Sequence, residues 1–249
     1  MASDPLPDTA RYALYFAPKP DSPWWRAGCG WLGRDAADGT DCPQPAILGV
    51  SPADQRKITA AAARYGFHAT VKAPFRLVAG AVEADLLALA TRFAVTQPVV
   101  PLPELAVRPL GNFLALQLPS GSASAEAVAG LAMRAVEQFD VLRAPAAPAE
   151  LLRRRRSLLT ARQDALLARW GYPYTEEEFR LHFTLTDDMV SLAPDARQAV
   201  RDAAERWFAA SLAGIPLIDG LTIFREAGPG QPFRILQRFA FTITAASAT

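Results

Sequence analysis

The chain has 249 residues, is 51% hydrophobic and carries a formal net charge of +1. It is long enough to bury a large core, and its balanced charge offers no overall field to draw nucleic acid or an anionic membrane, so any anion site must be local. No run approaches the roughly 18 unbroken apolar residues of a membrane span, and the opening MASDPLPDTARYALYF lacks the basic segment of a signal peptide, so the cytoplasm is the expected location.

Arg11 to Pro18 (RYALYFAP) predicts the first strand, stopped by proline. Lys19 to Gly49 reads as a long irregular stretch whose tryptophans, in SPWWRAGCGWLGRD, anchor it to the core; as a lid it would instead bring Arg26 and Arg34 to a phosphate. Cys29 and Cys42, the only cysteines, lack the paired spacing of a zinc site and read as spare thiols. Ser51 as N-cap and Pro52 at the first position open a helix that Gly66 ends, with Arg64 complementing its dipole. FHATVKAPF is then a strand, Glu83 to Phe93 a helix, and ELAVRPLGNFLALQLP a pair of strands joined at Leu110-Gly111-Asn112.

Beyond a further helix at about Ala123 to Val141 and the linker RAPAAPAE, the pattern recurs. A helix over Ala149 to Trp170 buries leucines 151, 152, 158, 159, 166 and 167, leaving the run Arg153 to Arg156 as solvated surface rather than a nucleic-acid patch. EFRLHFTLT is the strand, and APDARQAVRDAAERWFAA a helix with Val200, Ala204, Trp207 and Phe208 on one face. LIDGLTIFRE and FRILQRFAFTIT supply two last strands. Residues 1–249 thus read as a single domain with pseudo-repeats at about 52–118 and 149–245 and a helical insertion at about 123–141.

The chain has two histidines, and both are followed two places on by threonine: His68-Ala69-Thr70 and His182-Phe183-Thr184. In a strand, side chains alternate. Phe67, Ala69, Val71 and Ala73 then face the core, with His68, Thr70 and Lys72 opposite; likewise Phe179, Leu181, Phe183 and Leu185 oppose Arg180, His182, Thr184 and Thr186. Imidazole, hydroxyl and cation on one face suit in-line displacement at a phosphodiester, with one histidine as base and the other as acid. Threonine hydroxyls would donate to the non-bridging oxygens, and Lys72 and Arg180 would add positive charge. Tyr15 is a further candidate for the cleft. No metal or cofactor is called for, and Asp187-Asp188 reads as an exposed turn.

These paired motifs, His68-Ala69-Thr70-Val71 and His182-Phe183-Thr184-Leu185, resemble those of the 2H phosphoesterase superfamily. RYALYFAP, WWRAGCGWLGRD, RYGFHATVKAPF and FRLHFTLTD together look like its DUF1045-like branch, linked to phosphonate metabolism. The resemblance implies an α+β, bilobal, duplicated fold: two antiparallel sheets flanked by helices around a central cleft. It also implies a metal-independent cyclic phosphodiesterase, a hydrolase acting on a small cyclic phosphate such as a 2',3'-cyclic nucleotide or a phosphoribosyl cyclic phosphate. A non-catalytic nucleotide- or RNA-binding module and a 2'-5' RNA ligase stay open as alternatives. Nucleic acid is not favoured as a partner, no membrane is involved, and the oligomeric state stays open.

Overall fold

A computed structural model describes residues 9–155 and 158–242. Arg156, the end of the arginine run, lies outside them. The chain forms a mixed α/β structure built on one seven-stranded antiparallel sheet and a small two-stranded one.

Strand β1 (Arg11–Phe16) is followed by helix α1 (Pro23–Leu32), where the sequence suggested an irregular stretch. The local signals are complete: the Ser22 side chain accepts from Trp25 N–H, proline occupies the first turn, and Gly33 closes the helix at a φ of 83°. Two glycines inside PWWRAGCGWL obscured them, because glycine weakens a helix reading. Gly28 has a packing reason, since a Cβ there would meet the Phe67 ring at 2.1 Å. Trp25 and Trp31 are fully buried, and the Trp31 indole donates to the Leu185 carbonyl at 2.8 Å. The Trp-rich segment is therefore part of the core. Arg34 is turned inward as well, donating to the carbonyls of Ala63 and Phe233.

Helix α2 (Pro52–Tyr65) starts on Ser51 and ends at Gly66, and strand β2 (Ala69–Phe75) follows. Then come helix α3 (Glu83–Ala94), the short β3 (Val100–Pro101), the hairpin β4 (Ala106–Leu110) and β5 (Phe113–Gln117), and helix α4 (Ala123–Phe139). The single helix expected over 149–170 is two, α5 (Pro148–Arg154) and α6 (Ala161–Trp170). Thr160 and Gln163 form a capping box that starts α6 afresh. Of the six leucines, only Leu166 and Leu167 are fully buried, and Leu152 and Leu158 are exposed.

Strand β6 is short (His182–Thr184), helix α7 (Pro194–Leu212) packs against α1, and β7 (Leu217–Ile218) pairs with β3. Strands β8 (Gly220–Glu226) and β9 (Arg234–Ala240) complete the large sheet. On α7, Val200, Ala204 and Phe208 are buried, while the half-exposed Trp207 donates its indole N–H to the Ala27 carbonyl.

The sheet order is β4-β5-β6-β2-β1-β8-β9. In place of two separate sheets, β2 and β6, the two His-x-Thr strands, are neighbours inside one continuous sheet, paired at Ala69 and Phe183. Phe67 and Phe183 stack at 5.3 Å behind them, with the Trp24 ring edge-on to both.

Replacing Gly28 by alanine should cost about 1–3 kcal/mol by forcing α1 off Phe67. Chemical denaturation would check this, and an unchanged midpoint would show that the contact can relax freely.

Candidate functional site

The β2–β6 pairing assembles the site. Continuing the register of Ala69 opposite Phe183, His68 falls opposite Thr184 and Thr70 opposite His182. The two-residue spacing puts all four on one face, so each imidazole has its own threonine along the strand and the other motif's threonine across from it. These four side chains line a pocket of about 330 Å³, closed by Tyr15, Tyr65, Tyr172 and Asp187 and by the backbone around Ala61, Ala62 and Gly66.

Both imidazoles are held in the same way. His68 Nδ1 donates to the Gly66 carbonyl and His182 Nδ1 to the Arg180 carbonyl, each at 2.8 Å. A carbonyl can only accept, so in the neutral ring Nδ1 carries the proton and Nε2 presents a lone pair to the pocket. The Thr70 hydroxyl lies 3.3 Å from His68 Nε2 and can donate to it. Tyr15, 1% exposed, stacks on the His68 ring at 3.6 Å and fixes its plane. Burial pushes His68 down to about 4, and lowers His182 as well. The neighbouring imidazole adds to the effect at His68. Both are thus neutral proton acceptors at pH 7.

Two of the residues proposed from sequence to bind substrate, Lys72 and Thr186, are turned into the fold, and a third, Arg180, lines an adjoining cavity. Lys72 is 2% exposed, bonded through Nζ to Asp140 Oδ1 at 2.7 Å and to the Val136 carbonyl at 3.3 Å. Its alternation fails because the β1–β2 register slips around Leu14, a bulge that turns Lys72 toward α4 and returns Ala73 to the pocket. Burial lowers the Lys72 pKa, and the Asp140 carboxylate opposes that shift. Thr186 is fully buried because β6 ends at Thr184; its Oγ1 accepts from Leu114 N–H at 2.9 Å. Arg180 is exposed and lines an adjoining cavity of about 420 Å³ together with Thr70 and His182 of the motifs and Phe113, Tyr172 and Phe179.

Asp187 is not the exposed turn residue expected. Its carboxylate accepts from Ala61 N–H (2.8 Å) and Ala62 N–H (3.1 Å), and its own N–H donates to the Ile58 carbonyl, so it clamps α2 against the pocket. Burial raises its pKa against the pull of those two donors. Asp188 is the turn residue, accepting from Val190 N–H and from Asn112. Tyr65, Tyr172 and Asp187 were missed as pocket residues. The available signals were an aromatic directly before Gly66, the cluster WGYPY, and a carboxylate next to the motif strand. Among the described residues no group of three or more His, Cys, Asp or Glu side chains could hold a metal ion, and no helix is long and apolar enough to cross a membrane.

A family model described as "Protein of unknown function (DUF1045)" matches residues 70–234, which include Thr70, His182 and Thr184. The chain belongs to the DUF1045 family. It is 50% identical over 248 residues to a protein of Janthinobacterium sp. (strain Marseille) named ribose 1,5-bisphosphate phosphokinase PhnN, covering 96% of this chain and 54% of that protein. A protein of Laribacter hongkongensis (strain HLHK9) with the same name is 41% identical over 229 residues, covering 90% of this chain and 50% of that one. The DUF1045 chain therefore spans about half the length of the curated relatives it matches. Their names correct the expected activity: a phosphokinase is a transferase, and the hydrolase and cyclic phosphodiesterase readings are set aside.

Two outcomes are expected. Folded His68 takes its proton near pH 4 against 6.5 when unfolded, so the stabilisation is full above about 6.5 and is lost as the pH falls through about 4. Urea denaturation at pH 7 and pH 5 should show a larger loss for wild type than for His68→Gln; equal losses would refute it. Asp140→Ala, which leaves Lys72 buried and unpaired, should cost about 3 kcal/mol, whereas Lys72→Met should be about neutral in the same measurement.

Proposed function

We propose that this chain supplies the phosphorylated-ribose site of a phosphokinase, with His68 and His182 as its proton-transferring pair. The observation that carries the reading is the matched pair of half-buried imidazoles, each anchored through Nδ1 with Nε2 toward a shared pocket. The name of the relatives supplies the ligand class. Lysine occurs only at Lys19, Lys57 and Lys72, none preceded by glycine, so the Gly-x-x-x-x-Gly-Lys loop that many kinases fold around nucleotide phosphates has no match here. We accordingly assign nucleotide binding to the part of the relatives that this chain does not span.

In this reading a phosphoryl group enters between the two motif strands. Its negative charge raises the pKa of both imidazoles, and at least one takes up a proton and donates a charge-assisted hydrogen bond from Nε2. Thr70 and Thr184 donate hydroxyl hydrogens to the phosphoryl oxygens, and Tyr65 and Tyr172 wall the sugar. The imidazole left neutral can accept the proton of a sugar hydroxyl beside the phosphate. Tyr15 holds His68 in plane, and Arg180 lines the adjoining cavity with Thr70 and His182.

The same site supports a relationship to the 2H superfamily at the level of architecture, without its hydrolytic activity. The order α2-β2-α3-β4-β5 matches α6-β6-α7-β8-β9, which supports pseudo-repeats at about 52–118 and 149–245 within one bilobal domain and a helical insertion between them. The PhnN name supports the link to phosphonate metabolism.

Calorimetric titration with ribose 5-phosphate at pH 7, in two buffers of different ionisation enthalpy, tests the proposal. Saturable binding with proton uptake is expected, tightening as the pH is lowered toward 6, and weakened about tenfold or more by His68→Asn or His182→Asn. No binding, or binding without proton uptake, would overturn it. ATP-dependent turnover by this chain alone would overturn the division between the two halves.

A further inference from the structure

We infer that the arginine-lined chamber beside the histidine pocket is a second phosphate subsite, so that the ligand is a sugar carrying two phosphoryl groups. This rests on the phosphorylated-ribose reading above. The chamber, about 720 Å³, shares Tyr65, Ala73, Pro74 and Tyr172 with the histidine pocket, and the two are therefore adjacent. Each falls within the size range of small-molecule sites.

Four elements deliver a guanidinium to the chamber: Arg11 from β1, Arg64 from the last turn of α2, Arg76 just after β2 and Arg154 from α5. Two carboxylates meet them. Glu226, fully buried, pairs with both Arg11 and Arg64, and its Oε1 also accepts from Gly230 N–H. Glu150 accepts from Arg154 at 2.8 Å and lies 3.6 Å from Arg76. Four cations against two anions leave a surplus of two positive charges, which matches the charge of about −1.5 to −2 on a phosphate monoester at neutral pH.

A network serving stability alone would be expected to balance its charge, because unneutralised guanidiniums repel one another. Here the buried acid holds Arg11 and Arg64 at fixed positions, so a phosphate meets donors already oriented. Arg76 is 42% exposed and its ion pair is long, which leaves its fork available for bidentate contact with phosphate oxygens. With one phosphate between the histidines and another among the arginines, the sugar lies along Tyr65 and Tyr172.

The experiment compares a pentose bisphosphate with pentose 5-phosphate by calorimetry, in wild type and in Arg76→Gln, whose exposed ion pair is worth little to stability. Wild type should bind the bisphosphate about tenfold or more tightly, and Arg76→Gln should remove most of that preference. Equal affinities in wild type, or a variant that weakens both ligands alike, would overturn the subsite. In parallel, modification of arginine by a dicarbonyl reagent is mapped by peptide mass spectrometry with inorganic phosphate as the probe. Phosphate should protect Arg76 and Arg154 in wild type and in His68→Asn/His182→Asn. Absence of protection in both overturns the subsite whatever the sugar does, whereas protection without any sugar-phosphate binding overturns the phosphorylated-ribose reading and leaves the subsite standing.

Discussion

The pairing of β2 with β6 at Ala69 and Phe183 is the contact on which the rest of the molecule depends. Antiparallel strands repeat their faces every two residues, so one pairing decides which side chains meet over the whole motif. A slip of one residue would break the opposition of each histidine to the other's threonine. The register is secured from behind, where Phe67 and Phe183 stack and Trp24 closes over both, and from the side, where Trp31 holds the Leu185 carbonyl. Aromatic packing on one face thus sets polar geometry on the other.

The site is built from anchored groups. Each imidazole is tied to a carbonyl two residues before it, Tyr15 lies flat on His68, and Asp187 ties α2 to the end of β6. Such anchoring lowers the entropy lost when a ligand is bound. Burial then sets the protonation state, lowering the pKa of both histidines and keeping them neutral. The chemistry follows from desolvation as much as from residue identity.

Charged residues divide between two tasks. Lys72 is consumed inside the fold, where it meets the Asp140 carboxylate that Arg143 also holds. Around the outer chamber Glu226 and Glu150 organise more guanidiniums than they neutralise. The difference lies in burial: a charge without water requires a partner, whereas one at a chamber wall can wait for a ligand.

Much of this was legible in the sequence. Alternation along FHATVKAPF and EFRLHFTLT marked the two strands, Ser51-Pro52 and Gly66 bounded α2, and the shared His-x-Thr spacing singled out His68, Thr70, His182 and Thr184, which do line one pocket. These are local properties, set by backbone period and capping, and a sequence carries them directly. Only the tertiary structure decided that the two motif strands share one sheet, that a bulge turns Lys72 to α4, that Thr186 is buried where β6 stops, and that Asp187, Tyr65 and Tyr172 complete the wall. Each of these depends on which distant segment packs alongside. A strand's period says which residues share a face; its neighbours and bulges say what that face meets.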